Sequence, residues 1–298
     1  MTILWKIIRS YVLIGIILVS YCFDQGLGKR VFMQVIILPS SHDVALYAAD
    51  RVVDVINTKP DPVLGLATGS TPIALYKELV ARHQSKKVSF RQATSFNLDE
   101  YIGIADSHEQ SYRTFMNRHL FDAIDIIKTN THVPLAESQD LHILKKSAEN
   151  YEASIQQAGG IDLQILGIGL NGHIGFNEPT SSFASRTRIK TLSESTVIAN
   201  KRFFAEGEYQ PHLAITMGIG TILASQSVLL MATGKAKAEA VKAMIEGPLS
   251  AMCPASALQL HESATIVLDE EAASLLTLKE YYQWCEQKRQ QLHGGSQA

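Results

Sequence analysis

Cysteine is scarce in this chain. There are three in 298 residues, Cys22, Cys253 and Cys285, far apart and without a CxxC pair. That excludes a disulfide framework and a structural zinc cluster, and it fits a reducing, cytoplasmic compartment. A surplus of either charge is also missing. Lys and Arg number 27 against 29 Asp and Glu, so the basic excess of a nucleic-acid or membrane-surface binder is absent. No Pro/Ser linker, low-complexity tract or internal repeat divides the chain, whose hydrophobic content of 46% is ordinary for a globular protein. Nor does any apolar run reach the ~20 residues of a membrane helix.

The longest such run, residues 10–23, is uncharged and flanked by Lys6 and Arg9 before it and Asp24 after it. It has the basic start and short apolar core of a signal peptide, without a convincing small-residue cleavage site. An N-terminal anchor and a start codon read too early are the other readings. The chain therefore divides into an extension, residues 1–32, and a folded domain, residues 33–298.

From Met33 on, short apolar runs alternate with amphipathic stretches, as βα units do. Strands are expected at 35–38, 63–66, 94–98, 163–168, 213–217, 228–232 and 264–268. Helices are expected at about 41–57 (capped by Ser41 or Asp43), from Pro72 through Arg82, and around 111–121 and 140–158. This predicts a single α/β domain: a doubly wound, mostly parallel sheet with helices on both faces, ending in a frayed tail from His293.

Four loops after these strands hold chemistry. Ala67-Thr68-Gly69-Ser70-Thr71-Pro72 offers a turn glycine, Ser70 or Thr71 as cap, and a proline suited to the first helical position. Free N–H groups at such a helix start attract anions, phosphate above all, although a well-capped helix is the simpler reading. Thr233-Gly234-Lys235-Ala236-Lys237 repeats the arrangement with lysines. Asn97-Leu98-Asp99-Glu100-Tyr101 sets two carboxylates past a buried strand, where an acid serves as base, metal ligand or, most commonly, helix cap.

The fourth loop, Gly167 to Pro179 (GIGLNGHIGFNEP), is the most informative. It contains GxGxxG literally, but the dinucleotide fingerprint needs a helix at once and an acid at the next strand end. Here Pro179 follows seven residues after Gly172, and Glu194 lies in a polar segment. His173, Glu178 and Asp99 match no metal-binding spacing. A His with a carboxylate partner does suit proton transfer near neutrality.

Five motifs in order, LGLATGSTP (64–72), FNLDEY (96–101), GIGLNGHIGFNEP (167–179), SRTRIKT (185–191) and NKRFF (200–204), resemble those of glucosamine-6-phosphate deaminases. The resemblance runs from Met33 to about residue 290. It implies conversion of glucosamine 6-phosphate and water to fructose 6-phosphate and ammonia, with no metal or organic cofactor. It also implies roles. Asp99 would move a proton from C2 to C1, and His173 would open the pyranose ring with Glu178 and Asn171 setting its charge and orientation. Asn171 departs from the Asp of many family members and cannot titrate. The phosphate would lie on the backbone of Gly69, Ser70 and Thr71, clamped by Arg202 and Lys237, under a mobile lid formed by residues from about 181 to 202.

Some relatives are hexamers activated by N-acetylglucosamine 6-phosphate, while others are unregulated monomers. Ser181, Arg188, Lys190 and Thr191 match part of the activator site, to which Tyr281 or Tyr282 would add. Three rivals share the chemistry in part: galactosamine-6-phosphate deaminase, 6-phosphogluconolactonase, and a non-catalytic sugar-phosphate sensor. The lactonases usually lack FNLDEY and the FNEP ending. A sensor would not need Asp99, His173 and Glu178.

Overall fold

The computed structural model describes residues 33–201 and 209–294; the extension 1–32, Arg202 and the end of NKRFF lie outside these. The apolar runs form a seven-stranded sheet: β1 (Gln34–Leu38), β2 (Val63–Leu66), β3 (Thr94–Asn97), β5 (Thr131–His132), β6 (Leu163–Leu166), β9 (Val228–Ala232) and β10 (Ala264–Asp269). Their order is β1-β10-β9-β6-β2-β3-β5, and each neighbouring pair is parallel. Five of these strands are Val-, Ile- or Leu-rich, as expected where both faces are covered. Several helices pack on this sheet, among them α1 (Ser41–Thr58), α2 (Pro72–Gln84) and α4 (Leu141–Gln157). Ala48, Ala49 and Val52 of α1 are wholly buried. No described helix is long and apolar enough to cross a membrane.

The winding locates the crevice. The chain runs β2, β3, β5 toward one edge, then returns to β6 on the other side of β2 and proceeds through β9 to β10. The β2/β6 junction is therefore the topological switch point, beyond whose strand ends open α/β sheets bind ligands. The loops leaving those two strands are LGLATGSTP and the glycine-rich loop.

Three expectations need correction. Residues 213–217 do not join the main sheet. As β8 (Leu213–Thr216) they form the centre of a second, antiparallel sheet, between β4 (Asp99–Tyr101) and β7 (Arg188–Thr191). Polar strands three and four residues long carry too little periodicity to be seen in advance. Helix α1 is capped by Ser40, whose Oγ accepts the Asp43 N–H, rather than by Ser41 or Asp43. Thr71 precedes α2 in helical geometry and makes no side-chain cap bond, so the start of α2 is set by Pro72.

Leu98 joins the two sheets. Its N–H donates to the Leu66 carbonyl of β2 at 3.0 Å, and its carbonyl accepts from Met217, just past β8, at 2.7 Å.

Candidate active site

FNLDEY ends a buried strand and immediately starts another, so its two acids point different ways. Glu100 takes the capping role. Its carboxylate accepts the N–H groups of Tyr101 (2.9 Å), Tyr112 (3.0 Å) and Arg113 (3.0 Å), the last two opening helix α3 (Tyr112–Met116). Asp99 is spared. It pairs with Thr216 across the small sheet and lies buried under the glycine-rich loop. A Cβ placed on Gly175 would stand 3.3 Å from Asp99 Oδ2 and 3.1 Å from Thr216 Oγ1. With φ +54°, Gly175 brings bare backbone against the acid. Burial above all, with help from the adjacent Glu100 charge, pushes the Asp99 carboxyl up to about 8, against a hydrogen bond from the Phe176 backbone.

The glycine-rich loop does not open a helix. It folds back on itself, Gly169 N–H bonding to the His173 carbonyl at 2.9 Å and residues 174 and 177 bridging. A Cβ on Gly169 would fall 2.2 Å from the His173 ring, so the imidazole rests where only glycine leaves room. Asn177 is fully buried and staples the turn: its Nδ2 donates to the carbonyls of Ile174 (2.9 Å) and Met217 (2.8 Å), and its Oδ1 accepts from Arg188 (2.9 Å).

Asn171 lies between the two titratable groups of the loop. Its Nδ2 donates to Glu178 Oε2 at 2.7 Å, and its Oδ1 stands 2.6 Å from His173 Nδ1. His173 Nδ1 is itself 3.6 Å from Glu178 Oε2. Glu178 also receives the Thr196 hydroxyl (2.5 Å), and Ser193 Oγ lies 3.1 Å from the same oxygen. Burial alone would raise its carboxyl, but the bonds from His173, Thr196 and Asn171 and the His173 charge outweigh burial and hold it at about 2. An ionised Glu178 can only accept, which turns the Asn171 amide nitrogen toward it and Oδ1 toward the ring. His173 Nδ1 must then carry its hydrogen, leaving Nε2 as the atom that can take a proton.

The anion loops flank this network. Gly69 has φ +98°, and it and Ser70 are exposed between β2 and α2, with Thr71 half-buried. Of the two lysines after Gly234, Lys235 is exposed while Lys237 turns inward and donates to the Ile168 carbonyl, at the root of the glycine-rich loop, at 2.6 Å. Burial draws its ammonium below its ordinary value. Ser181 is buried with a hydroxyl that bonds to no described residue. Arg188, Lys190 and Thr191 stand on β7, the first two half-buried and Thr191 exposed, while Tyr281 and Tyr282 belong to the last helix, Lys279–Gly294, which packs on β1. Among the described residues no cluster of three or more His, Cys, Asp or Glu could hold a metal ion.

Asn177 stood inside the motif but was given no role, and sequence reasoning passed over Ser193, Thr196 and Thr216. Each of these three is an uncharged side chain with a partner 15 to 40 residues away, so no local pattern marks its role.

The chain is similar to proteins of known name and to solved structures. A glucosamine-6-phosphate deaminase of Marinomonas sp. (strain MWYL1) is 88% identical over 263 residues, covering 88% of this chain and 99% of the relative. One from Shewanella loihica (strain ATCC BAA-1088 / PV-4) is 60% identical over 260 residues, 87% of this chain and 96% of the other. Among solved structures, a monomeric glucosamine-6-phosphate deaminase superposes with a TM-score of 0.78 at 44% identity, over 82% of this chain and all of that one. A Trypanosoma cruzi 6-phosphogluconolactonase shares the fold at 20% identity and a TM-score of 0.67, over 84% of this chain and 99% of that one. The model of the glucosamine-6-phosphate isomerases/6-phosphogluconolactonase family matches residues 40–267, and the chain belongs to that family.

Proposed function

We propose that this protein is a glucosamine-6-phosphate deaminase, converting glucosamine 6-phosphate and water to fructose 6-phosphate and ammonia in amino-sugar catabolism. Near-complete coverage of relatives with that activity, at up to 88% identity, supports the reaction. The observation that carries the division of labour is the meeting at Gly175, where the Asp99 carboxylate lies against the same loop that bears Asn171, His173 and Glu178.

The phosphate is held by the N–H groups of Gly69, Ser70 and Thr71 and by Lys237, with Arg202 assigned to the same clamp from its motif. Binding energy gathered there, remote from the reacting carbons, orients the sugar. His173 Nε2 takes the O1 hydroxyl proton and returns a proton to O5, so the C1–O5 bond breaks and an aldehyde forms at C1. Asp99, ionised, removes the C2 hydrogen. The released pair forms C1=C2 as the C1=O pair moves onto O1, which takes a proton from the C2 ammonium. Asp99 then delivers its proton to C1 as the nitrogen lone pair forms C2=N. Water adds at C2, a proton passes from the added oxygen to nitrogen, and the C2–N bond breaks to leave the C2 ketone and ammonia. Neither proton transfer requires a metal. Residues 33–298 would form the catalytic domain. Regulation by N-acetylglucosamine 6-phosphate through Ser181, Arg188, Lys190 and Thr191 is a separate matter: in this chain the Arg188 guanidinium is already bonded to Asn177.

The test is ammonia release from glucosamine 6-phosphate, with the galactosamine epimer and 6-phosphogluconolactone in parallel. Turnover of the glucosamine substrate well above both others is expected. Lactone hydrolysis without ammonia release would overturn the assignment.

A further inference from the structure

Glu178 is gripped from two directions. The glycine-rich loop supplies Asn171 and His173 to its Oε2, while Oε1 faces two hydroxyls from farther along the chain. Ser193 is committed elsewhere as well: its Oγ accepts the Thr196 N–H at 3.2 Å and its carbonyl accepts the Val197 N–H at 2.9 Å, which makes it the cap of helix α5 (Glu194–Lys201). Thr196 has no such duty. Its side chain is buried, Ser193 Oγ donates to its Oγ1 at 2.9 Å, and its own hydrogen goes to Glu178 at 2.5 Å. The hydroxyls thus form a relay, Ser193 to Thr196 to Glu178, in which each bond polarises the next.

From this geometry we infer that Thr196 is a positioning residue for ring opening: its hydroxyl fixes the Glu178 carboxylate so that Oε2 meets Asn171 and, through that amide, keeps the His173 hydrogen on Nδ1. The terminal torsion of a glutamate is broad and intrinsically poorly fixed. Without the short Thr196 bond, Oε1 keeps only the longer contact to Ser193 Oγ at 3.1 Å, so the carboxylate is held less firmly, the Asn171 amide is less strongly fixed in one orientation, and Nε2 is no longer reliably the bare nitrogen. The facing titratable group is His173, from the loop side. From the α5 side come the hydroxyls of Ser193 and Thr196, and no charged side chain there is bonded to Glu178 among the described residues.

The inference rests on the proposed function for its kinetic consequence, but not for its structural one. Thr196→Val keeps the shape and the backbone N–H that Ser193 caps, while removing the donor. 15N NMR of the resting protein should show His173 as the Nδ1–H tautomer in the parent and a mixture in Thr196→Val. An unchanged tautomer overturns the inference whether or not the protein deaminates anything. In the ammonia assay, kcat on the ring-closed substrate should fall about tenfold, the loss expected from a misoriented proton carrier. Affinity for an acyclic 2-amino-2-deoxyhexitol 6-phosphate, which has no ring to open, should stay at the parent value, and Thr196→Ser should restore kcat. Equal losses in kcat and in polyol binding, or a Thr196→Ser variant as slow as Thr196→Val, would reduce Thr196 to packing. Failure of the parent to release ammonia would instead count against the proposed function.

Discussion

Two buried carboxylates flank one loop and are driven in opposite directions. Asp99, with the small sheet around it and bare glycine backbone above, has little to replace the water it lost, so its proton is held up to about 8. Glu178 is nearly as buried but meets an amide, an imidazole and two hydroxyls, and stays charged down to about 2. Burial weighs more heavily on Asp99, and Glu178 meets more donors. The same residue class thereby supplies a carboxyl that exchanges its proton in the working range and a fixed charge that never does.

Abolishing the first carboxylate should have the largest effect. Asp99→Asn should lower kcat by roughly a thousandfold or more, the scale of a lost general base, while leaving affinity for the acyclic aminopolyol phosphate intact. Retained turnover would remove Asp99 from the reaction. The same variant should be more heat-stable than the parent at pH 8. With its folded value raised from 3.8 to about 8, Asp99 makes the folded state bind more protons than the unfolded one between those limits. Its contribution therefore grows more unfavourable as pH rises through that window, is absent below it and is complete above it. A melting-temperature gain equal at pH 4 and pH 8 would contradict the shift.

Disturbing the second half comes next. Gly169→Ala drives a methyl into the His173 ring and should cost about a hundredfold in kcat, with a much smaller change in KM. Lys237→Met should act mainly on binding, raising KM about tenfold and raising it far less for a substrate without phosphate. An unchanged KM would take Lys237 out of the clamp.

The smallest change is the most discriminating. Asn171→Asp sets a carboxylate beside Glu178 Oε2, where the amide nitrogen now stands at 2.7 Å. Two like charges so close share a proton, so one of the pair titrates upward and the pH–rate profile should move while its maximum falls by less than about tenfold. An unmoved profile would mean that the charge state of this pair does not reach the reaction.

Most of the large sheet was legible because six of its seven strands are four to six residues long and five of those are apolar, while the two-residue edge strand β5 was missed. The small sheet was not. Arg188-Ile189-Lys190-Thr191 alternates too weakly, and Asp99-Glu100-Tyr101 is too short, for periodicity to register. Asp99, His173, Glu178 and Asn171 stood out through motif and residue type, and the fold brings them to one loop. Which of Asp99 and Glu100 caps a helix was undecidable locally, since the deciding amides belong to Tyr112 and Arg113. Thr196 was invisible for a similar reason: a threonine in a polar segment acquires meaning only from a carboxylate eighteen positions earlier.

Leu98 has a mechanical consequence. Its N–H belongs to the large sheet and its carbonyl to the edge of the small one, so it is the fulcrum about which one sheet would tilt against the other. Asp99 is the next residue, so its lever arm is a single peptide, whereas Thr191, at the far end of β7, rides the full width of the small sheet. A tilt large enough to carry Thr191 through several ångströms would move the base only slightly. Proton transfer tolerates errors of a fraction of an ångström, and placing the base beside the pivot is the position least sensitive to motion of the sheet that carries it.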